Sequence, residues 1–195
     1  MKQTKLILAV ILFILAFITV RAQEALNKGV YSIAGSIQYS YYNQESDFES
    51  YSQTTIVVSP QFTYFIMDHL AIGAAINYNY FHTPYDGGHN GAGPVTNSSI
   101  TFGPSLRYYF FAKPVVPFIE ASFNYGIYDL QPQSSENSYN IGVKGGMEIF
   151  LSSSVTLEPF ISYNYINYKT TFGGLSYTQN NSNLSFGIGI NYFIF

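Results

Sequence analysis

Apolar and polar residues alternate with a period of two in eight separate segments, and this pattern predicts eight β-strands. In the third segment, for example, Leu70, Ile72 and Ile76 alternate with Gly73 and Asn77. The eight segments cover residues 31–41, 55–66, 70–80, 100–110, 119–127, 139–149, 155–165 and 184–194. Each is about ten residues long, which is the length of a tilted strand that crosses a bilayer.

The two faces of these segments differ in size as well as in polarity. One face carries large aliphatic and aromatic side chains, and the other carries mainly Gly, Ser, Thr, Asn and Gln. A soluble β-sandwich would instead leave Lys and Glu on its outer face. Small polar residues suit the narrow interior of a closed barrel. We therefore predict an all-β fold, an eight-stranded antiparallel up-and-down transmembrane β-barrel over residues 23–195, with a soluble lipocalin-like barrel as the alternative.

The connections between segments alternate in length. Residues 43–53, 82–97, 129–137 and 169–183 form long polar connections, whereas 67–69, 111–116 and 152–154 are short. Bacterial outer-membrane barrels have short periplasmic turns and longer extracellular loops. We therefore expect four long loops outside the cell.

The N-terminus has the features of a secretory signal peptide. Lys2 and Lys5 precede an apolar run over residues 6–20, and Ala22 supplies a small residue at a cleavage site. The apolar run is shorter than the ~18 residues of a membrane-spanning helix. We predict that residues 1–22 are removed on export.

Composition narrows the possible functions. Charged residues make up 10 % of the chain and aromatic residues 18 %, and cysteine is absent. Without cysteine there is no disulfide scaffold, thiolate zinc site or cysteine nucleophile. Beyond residue 22 there are five basic and eleven acidic residues, a net charge of 5 − 11 = −6. The basic residues are scattered, so nucleic-acid binding is not supported.

Tyrosine is placed at the two ends of the segments rather than along them. Tyr and Trp concentrate at the interfaces between lipid and water, where their rings are amphipathic. We predict two interfacial girdles, formed by Tyr39, Tyr41, Tyr78, Tyr80, Tyr125, Tyr163 and Tyr165 at one end and by Tyr64, Tyr108 and Tyr192 at the other.

With this pattern the chain resembles the small eight-stranded outer-membrane barrels of Gram-negative bacteria, the OmpA/OmpX-like family. The resemblance covers residues 28–195. It includes the C-terminal assembly signal of that family, since Gly189, Tyr192 and Ile194 have the expected spacing and Phe195 lies one residue beyond it. The resemblance implies recognition by the barrel-assembly machinery, insertion into outer-membrane lipid and export to the outer membrane of a Gram-negative bacterium.

Five charged residues fall on the inward-facing positions of segments four to seven, namely Arg107, Glu120, Lys144, Glu148 and Glu158. A charge in a narrow interior is costly unless it is paired. We expect Arg107 and Lys144 to pair with the three glutamates and to plug the lumen. A narrow conductive path or proton-linked gate is the alternative role of these residues.

No catalytic set is found in the sequence, and we predict neither enzyme activity nor a cofactor. His82, Asp86 and His89 could approach a metal ion, but they lack helical spacing and a third histidine. Aromatic, Gly and Asn residues in the long connections suit contact with an unidentified loop ligand. We predict a monomeric structural or surface-interaction protein; the alternative is a narrow channel or a small hydrophobic-solute carrier, like the OmpW-like barrels.

Overall fold

The computed structural model describes residues 22–45, 50–84, 95–110, 115–129, 135–172 and 175–195. A four-residue helix, α1 (Ala22–Ala25), precedes eight strands. The strands are β1 (Tyr31–Glu45), β2 (Ser50–Met67), β3 (Leu70–Thr83), β4 (Val95–Tyr109), β5 (Val115–Asp129), β6 (Ser135–Phe150), β7 (Val155–Phe172) and β8 (Leu175–Ile194). Within the described residues, no helix is long and apolar enough to cross a membrane.

All eight strands pair antiparallel with their neighbours in sequence, and β8 pairs with β1 to close the barrel. The predicted fold class is thus confirmed. We name the end with the short connections the turn end and the opposite end the loop end. Residues 1–21, nearly all of the predicted signal peptide, lie outside the described residues.

The strand registers set the width of the barrel. Starting at Tyr31 and stepping from each residue to its partner on the next strand leads around the barrel to Leu184 on β8. Across the seam, however, Tyr31 pairs with Ile194. The stagger is therefore 194 − 184 = 10 residues. With about 3.3 Å per residue and 4.8 Å between strands, eight strands then tilt by about 40° and enclose a backbone radius of about 8 Å. Such an interior is only wide enough for side chains.

The predicted faces agree with the structure at every strand. Ile33, Phe102, Ile141 and Phe186 are 53–64 % exposed on the outer surface. Along β8 the outward apolar residues extend from Leu184 to Ile194, which corresponds to a band about 25 Å tall at the tilt given above. A continuous apolar wall of this height is the surface that lipid requires.

The strands are longer than the predicted segments, mainly at the loop end. The connection predicted over residues 169–183 is almost entirely strand, because β7 and β8 continue as a paired hairpin up to Phe172 and Leu175. In the same way, β1 and β2 remain paired as far as Glu45 and Ser50.

The seam between β1 and β8 is short. It contains nine residue pairs, from Tyr31 with Ile194 to Tyr39 with Phe186. Above it, the Asn183 side chain donates a hydrogen bond to Ser40 Oγ (3.0 Å). The β1–β2 and β7–β8 hairpins are thus joined by backbone pairs at the turn end only.

Candidate functional site

The lumen contains three layers, and the layer nearest the turn end is aromatic. Its largest members are Phe65, Tyr109, Phe118, Phe150 and Phe193, each at most 3 % exposed. Phe65 stacks on Tyr109 with ring centroids 5.4 Å apart, and Phe150 stacks on Phe193 at 5.5 Å. We refer to these five side chains as the aromatic plug.

The segment before β1 covers the aromatic plug from outside the barrel. Ala25 and Leu26 are fully buried and belong to the same apolar cluster as the plug. Backbone hydrogen bonds hold this segment to the end of β2 and the following turn: His69 N–H donates to Leu26 O (2.8 Å), and Gly29 N–H donates to Phe65 O (2.9 Å). His69 has a φ of 65°, so the turn that receives the segment adopts a left-handed conformation.

The second layer is a charge cluster formed by Arg107, Glu120, Lys144, Glu148 and Glu158. Arg107 lies at its centre: Nε is 2.8 Å from Glu120 Oε2, and Nη1 is 3.0 Å from Glu148 Oε1 and 2.6 Å from Glu158 Oε2. Lys144 Nζ lies 3.0 Å from Glu120 Oε1 and 3.5 Å from Glu158 Oε1. The structure therefore brings together all five residues that the sequence placed inside the barrel.

Neighbouring side chains complete the charge cluster. Glu148 also accepts hydrogen bonds from Thr156 Oγ1 and from Asn191 Nδ2. The guanidinium of Arg107 lies 4.2 Å from the centre of the Phe118 ring, which joins this layer to the aromatic plug below it. The arrangement satisfies charges that would be costly to bury alone.

The third layer, toward the loop end, is polar and contains a cavity of about 90 Å³, which we name the vestibule. Carboxamide side chains are spread around it, and most are partly exposed, unlike the charge cluster beneath. They are Gln38, Gln61, Asn77, Asn79, Asn124, Asn140, Asn164 and Asn183. Asn77 Nδ2 donates to Asn124 Oδ1 at 3.2 Å, and Ser59 Oγ donates to Asn77 Oδ1 at 2.6 Å.

Two buried oxygens near the vestibule have no hydrogen-bond partner in the structure. Asn140 Oδ1 belongs to a residue that lines the vestibule, and Ser138 Oγ lies two residues along the same strand. Ser138 is 1 % exposed. Buried polar atoms are normally satisfied by protein or by ordered solvent, so Asn140 Oδ1, on the wall of the vestibule, is open to a donor from a solute or from water.

Glycine makes the vestibule possible at one position on β6. A Cβ added at Gly142 would lie 2.6 Å from Asn164 Oδ1 and 2.8 Å from Ser122 Oγ. Larger residues at this position would displace the polar side chains that line the cavity.

All ten predicted girdle tyrosines lie on the outward-facing positions of their strands. The structure adds Tyr31 to the turn-end group, since its ring centroid lies 4.8 Å from that of Tyr64. It also adds Tyr139 to the loop-end group, 5.6 Å from Tyr125. These two residues show that position along the barrel axis, and not strand direction, decides where tyrosine occurs.

The residues of the predicted C-terminal assembly signal lie in β8 and just after it. Tyr192 and Ile194 are exposed on the outer face, while Gly189 faces the lumen. The spacing of these three residues follows the alternation of the strand, and Phe195 lies one residue beyond its end.

The histidine and aspartate residues that could approach a metal ion lie mostly outside the described part of the chain. His82 lies near Thr96 Oγ1 (3.4 Å), and Asp86 and His89 lie outside the described residues. Among residues that are described, no group of three or more His, Asp or Glu side chains could hold a metal ion.

Sequence reasoning missed the aromatic plug and the N-terminal cover. The signal for the plug was present, because Phe65, Tyr109, Phe150 and Phe193 occupy inward-facing positions near the turn end of their strands. No comparable signal marked Leu26, since its short segment has no periodic pattern.

No family model matches the chain, and no curated protein matches it. Solved structures of similar shape are found among outer-membrane proteins. The N-terminal β-barrel domain of Pseudomonas aeruginosa OprF has a TM-score of 0.53 and 11 % identity, covering 86 % of this chain and 98 % of that one. Outer membrane protein W of E. coli gives 0.53 and 13 %, covering 86 % and 99 %. Neisserial surface protein A gives 0.51 and 20 %, covering 85 % and 97 %.

These identities are low, so the likeness concerns the fold. The strand number, the closed antiparallel order and the outward apolar wall agree with it. The chain has the fold of the small eight-stranded outer-membrane β-barrels.

Proposed function

We propose that this protein is a monomeric, non-catalytic barrel of the outer membrane of a Gram-negative bacterium. It contributes to the integrity of that membrane and presents four loops to the outside of the cell. It is exported by a signal peptide and inserted by the barrel-assembly machinery. The ~25 Å apolar band between two groups of tyrosines supports its location in lipid, and the likeness to outer-membrane proteins agrees with it.

One observation favours a structural role over a transport role. Between the vestibule and the turn end, the lumen is filled by the charge cluster and then by the aromatic plug. Arg107, Glu148 and Leu26 are at most 2 % exposed in this part of the barrel. A solute that entered from the loop end would have to displace both layers and the N-terminal cover.

Ion conductance tests the closed lumen. The purified protein, refolded in a planar bilayer, is expected to give currents close to background. A sixteen-stranded porin, whose lumen holds an aqueous channel, serves as the positive control in the same bilayer. Steady wild-type currents well above background would contradict the proposal and favour a narrow channel. Swelling of protein-containing liposomes in small solutes would favour a carrier.

Cysteine labelling tests the orientation of the barrel in the membrane. The chain has no native cysteine, so only the introduced residue is labelled. Asn181→Cys places a thiol at the exposed loop end, and Ser153→Cys places one at the exposed turn end. On intact cells, a membrane-impermeant maleimide should label the first variant and should label the second only after lysis. The reverse result would overturn the proposed display of the loops.

A further inference from the structure

The vestibule has features of a binding site that are separate from the closure of the lumen. It lies on the loop-end side of the charge cluster, and its lining residues Gln38, Asn79 and Asn164 are partly exposed. Solvent therefore reaches it from the loop end. We propose that the vestibule binds a small, neutral, hydroxyl-rich solute, either a free polyol or the terminal ring of a saccharide.

The chemistry of the lining selects this class of ligand. A carboxamide both donates and accepts hydrogen bonds, and so does a hydroxyl group. The vestibule is lined by amides from seven strands together with serine and threonine hydroxyls. A ligand with several hydroxyl groups can match such a lining at many points, as water does.

The two unpartnered oxygens require a donor. Asn140 Oδ1 and Ser138 Oγ are buried and accept no hydrogen bond in the structure. An O–H group of a bound solute would satisfy Asn140 and remove the cost of leaving a buried acceptor unpaired. Ligands without donors would leave that cost in place.

Charge argues against an ionic ligand. The two charged residues that line the floor of the vestibule, Lys144 and Glu120, form an ion pair with each other at 3.0 Å. Each also contacts a further partner beneath the floor, Glu158 for Lys144 and Arg107 for Glu120. A neutral ligand avoids the desolvation that a further ion would need.

Size limits the ligand to a few hydroxyl groups. A cavity of about 90 Å³ is several times the ~10–15 Å³ that one water molecule needs, so it has room for a small cluster of water molecules or a small solute. Displacing ordered water favours binding only when the ligand reproduces its hydrogen bonds. Glycerol, or one edge of a sugar ring, offers the required number of hydroxyl groups.

The experiment is an NMR titration of the side-chain amides of the refolded barrel in phosphatidylcholine nanodiscs, without glycoside detergents. The probes are glycerol, glucose and maltotriose, with methylammonium chloride and sodium acetate as ionic controls. We expect saturable shifts of the Asn124 and Asn140 amides with a Kd on the order of millimolar for the hydroxyl-rich probes. Binding of glucose and maltotriose alike indicates the terminal ring of a saccharide, and binding of glycerol or glucose without maltotriose indicates a free solute.

Two matched variants locate the site. Asn140→Leu removes the open acceptor and is expected to weaken binding about tenfold without loss of folding, because the lost oxygen has no partner in the ligand-free protein. Asn181→Leu changes an exposed amide outside the vestibule and should bind as the wild type does. The proposal is overturned if no hydroxyl-rich probe saturates, if an ionic probe binds more tightly, or if Asn140→Leu binds as the wild type does. Folding of each variant is checked by the heat-dependent gel mobility of the barrel.

Discussion

Replacing Arg107 with methionine removes the centre of the charge cluster while keeping a long apolar side chain in its place. The guanidinium contacts three buried carboxylates, at 2.8 Å, 3.0 Å and 2.6 Å. Lys144 can still compensate Glu120 and Glu158, which it already contacts. Glu148 would keep only the neutral donors Thr156 and Asn191.

The expected loss of stability follows from these contacts. A hydrogen bond to a charged group contributes about 1.5–3 kcal/mol, so three such contacts represent a gross loss of about 5–9 kcal/mol. Part of this loss is recovered, because the cost of desolvating the guanidinium disappears with it. Removing one partner of a buried ion pair costs about 3–5 kcal/mol in practice. We expect the free energy of unfolding of Arg107→Met to fall by about 4 kcal/mol.

The assay is urea unfolding of the refolded protein in detergent micelles, followed by circular dichroism and by the fraction that keeps the gel mobility of the folded barrel. Lys169→Met removes an exposed cation at the loop end and should change stability by less than about 0.5 kcal/mol. Adding Glu148→Gln to Arg107→Met should recover part of the loss, because the carboxylate without a cation is then neutral. The reasoning is refuted if Arg107→Met unfolds within about 1 kcal/mol of the wild type, or if Glu148→Gln recovers nothing.

Three further unfolding experiments, two of them with a matched control substitution, test other parts of the barrel. Leu26→Ala should lower stability by about 2–4 kcal/mol because it leaves a cavity beneath the aromatic plug; an unchanged value would show that the N-terminal cover does not pack against it. Gly187→Val should cost about 1–3 kcal/mol, since its side chain would meet an aromatic ring inside the lumen, whereas Gly35→Val has open space and should cost nothing; equal effects would contradict the packing argument. Ile188→Arg, at the middle of the apolar band, should cost about 2–4 kcal/mol in lipid vesicles, and Leu151→Arg at the turn end about 0–1 kcal/mol. Similar costs at both positions would argue against a membrane boundary that lies between Ile188 and Leu151.

The faces of the strands could be predicted from the sequence, but their lengths could not. Alternation identified the outward residues of β8 from Leu184 onward because one face meets lipid and the other meets the lumen. From Thr178 to Asn183 every residue is polar, so hydropathy does not distinguish a strand from a loop there. Only pairing with the neighbouring strand β7, which hydropathy along one strand does not report, extends the strand to Leu175.

The charge cluster was predictable for a similar reason, and the aromatic plug was not recognised. A buried charge needs a partner, so five charged residues on inward positions of adjacent segments implied a network. Phe65 follows Tyr64 and precedes Ile66, and three consecutive apolar residues obscure the face on which the middle one lies. The contact between Leu26 and the plug joins residues far apart in sequence, and no local pattern encodes it.

The short seam between β1 and β8 divides the barrel along its axis into a lower part, which fixes the circumference, and an upper part, which does not. The stagger that fixes its circumference is set by pairs at or below Tyr39 and Phe186. Above that point the described part of β8 pairs only with β7, apart from the side-chain contact between Asn183 and Ser40. On its other side β7 remains paired with β6 as far as Thr170. Residues could therefore be added in matched pairs to the tip of the hairpin, beyond Thr170 and Tyr177, without a change in the closure of the barrel. The loop end is thus free to vary in length, and an epitope inserted between Phe172 and Leu175 would leave the register beneath it intact.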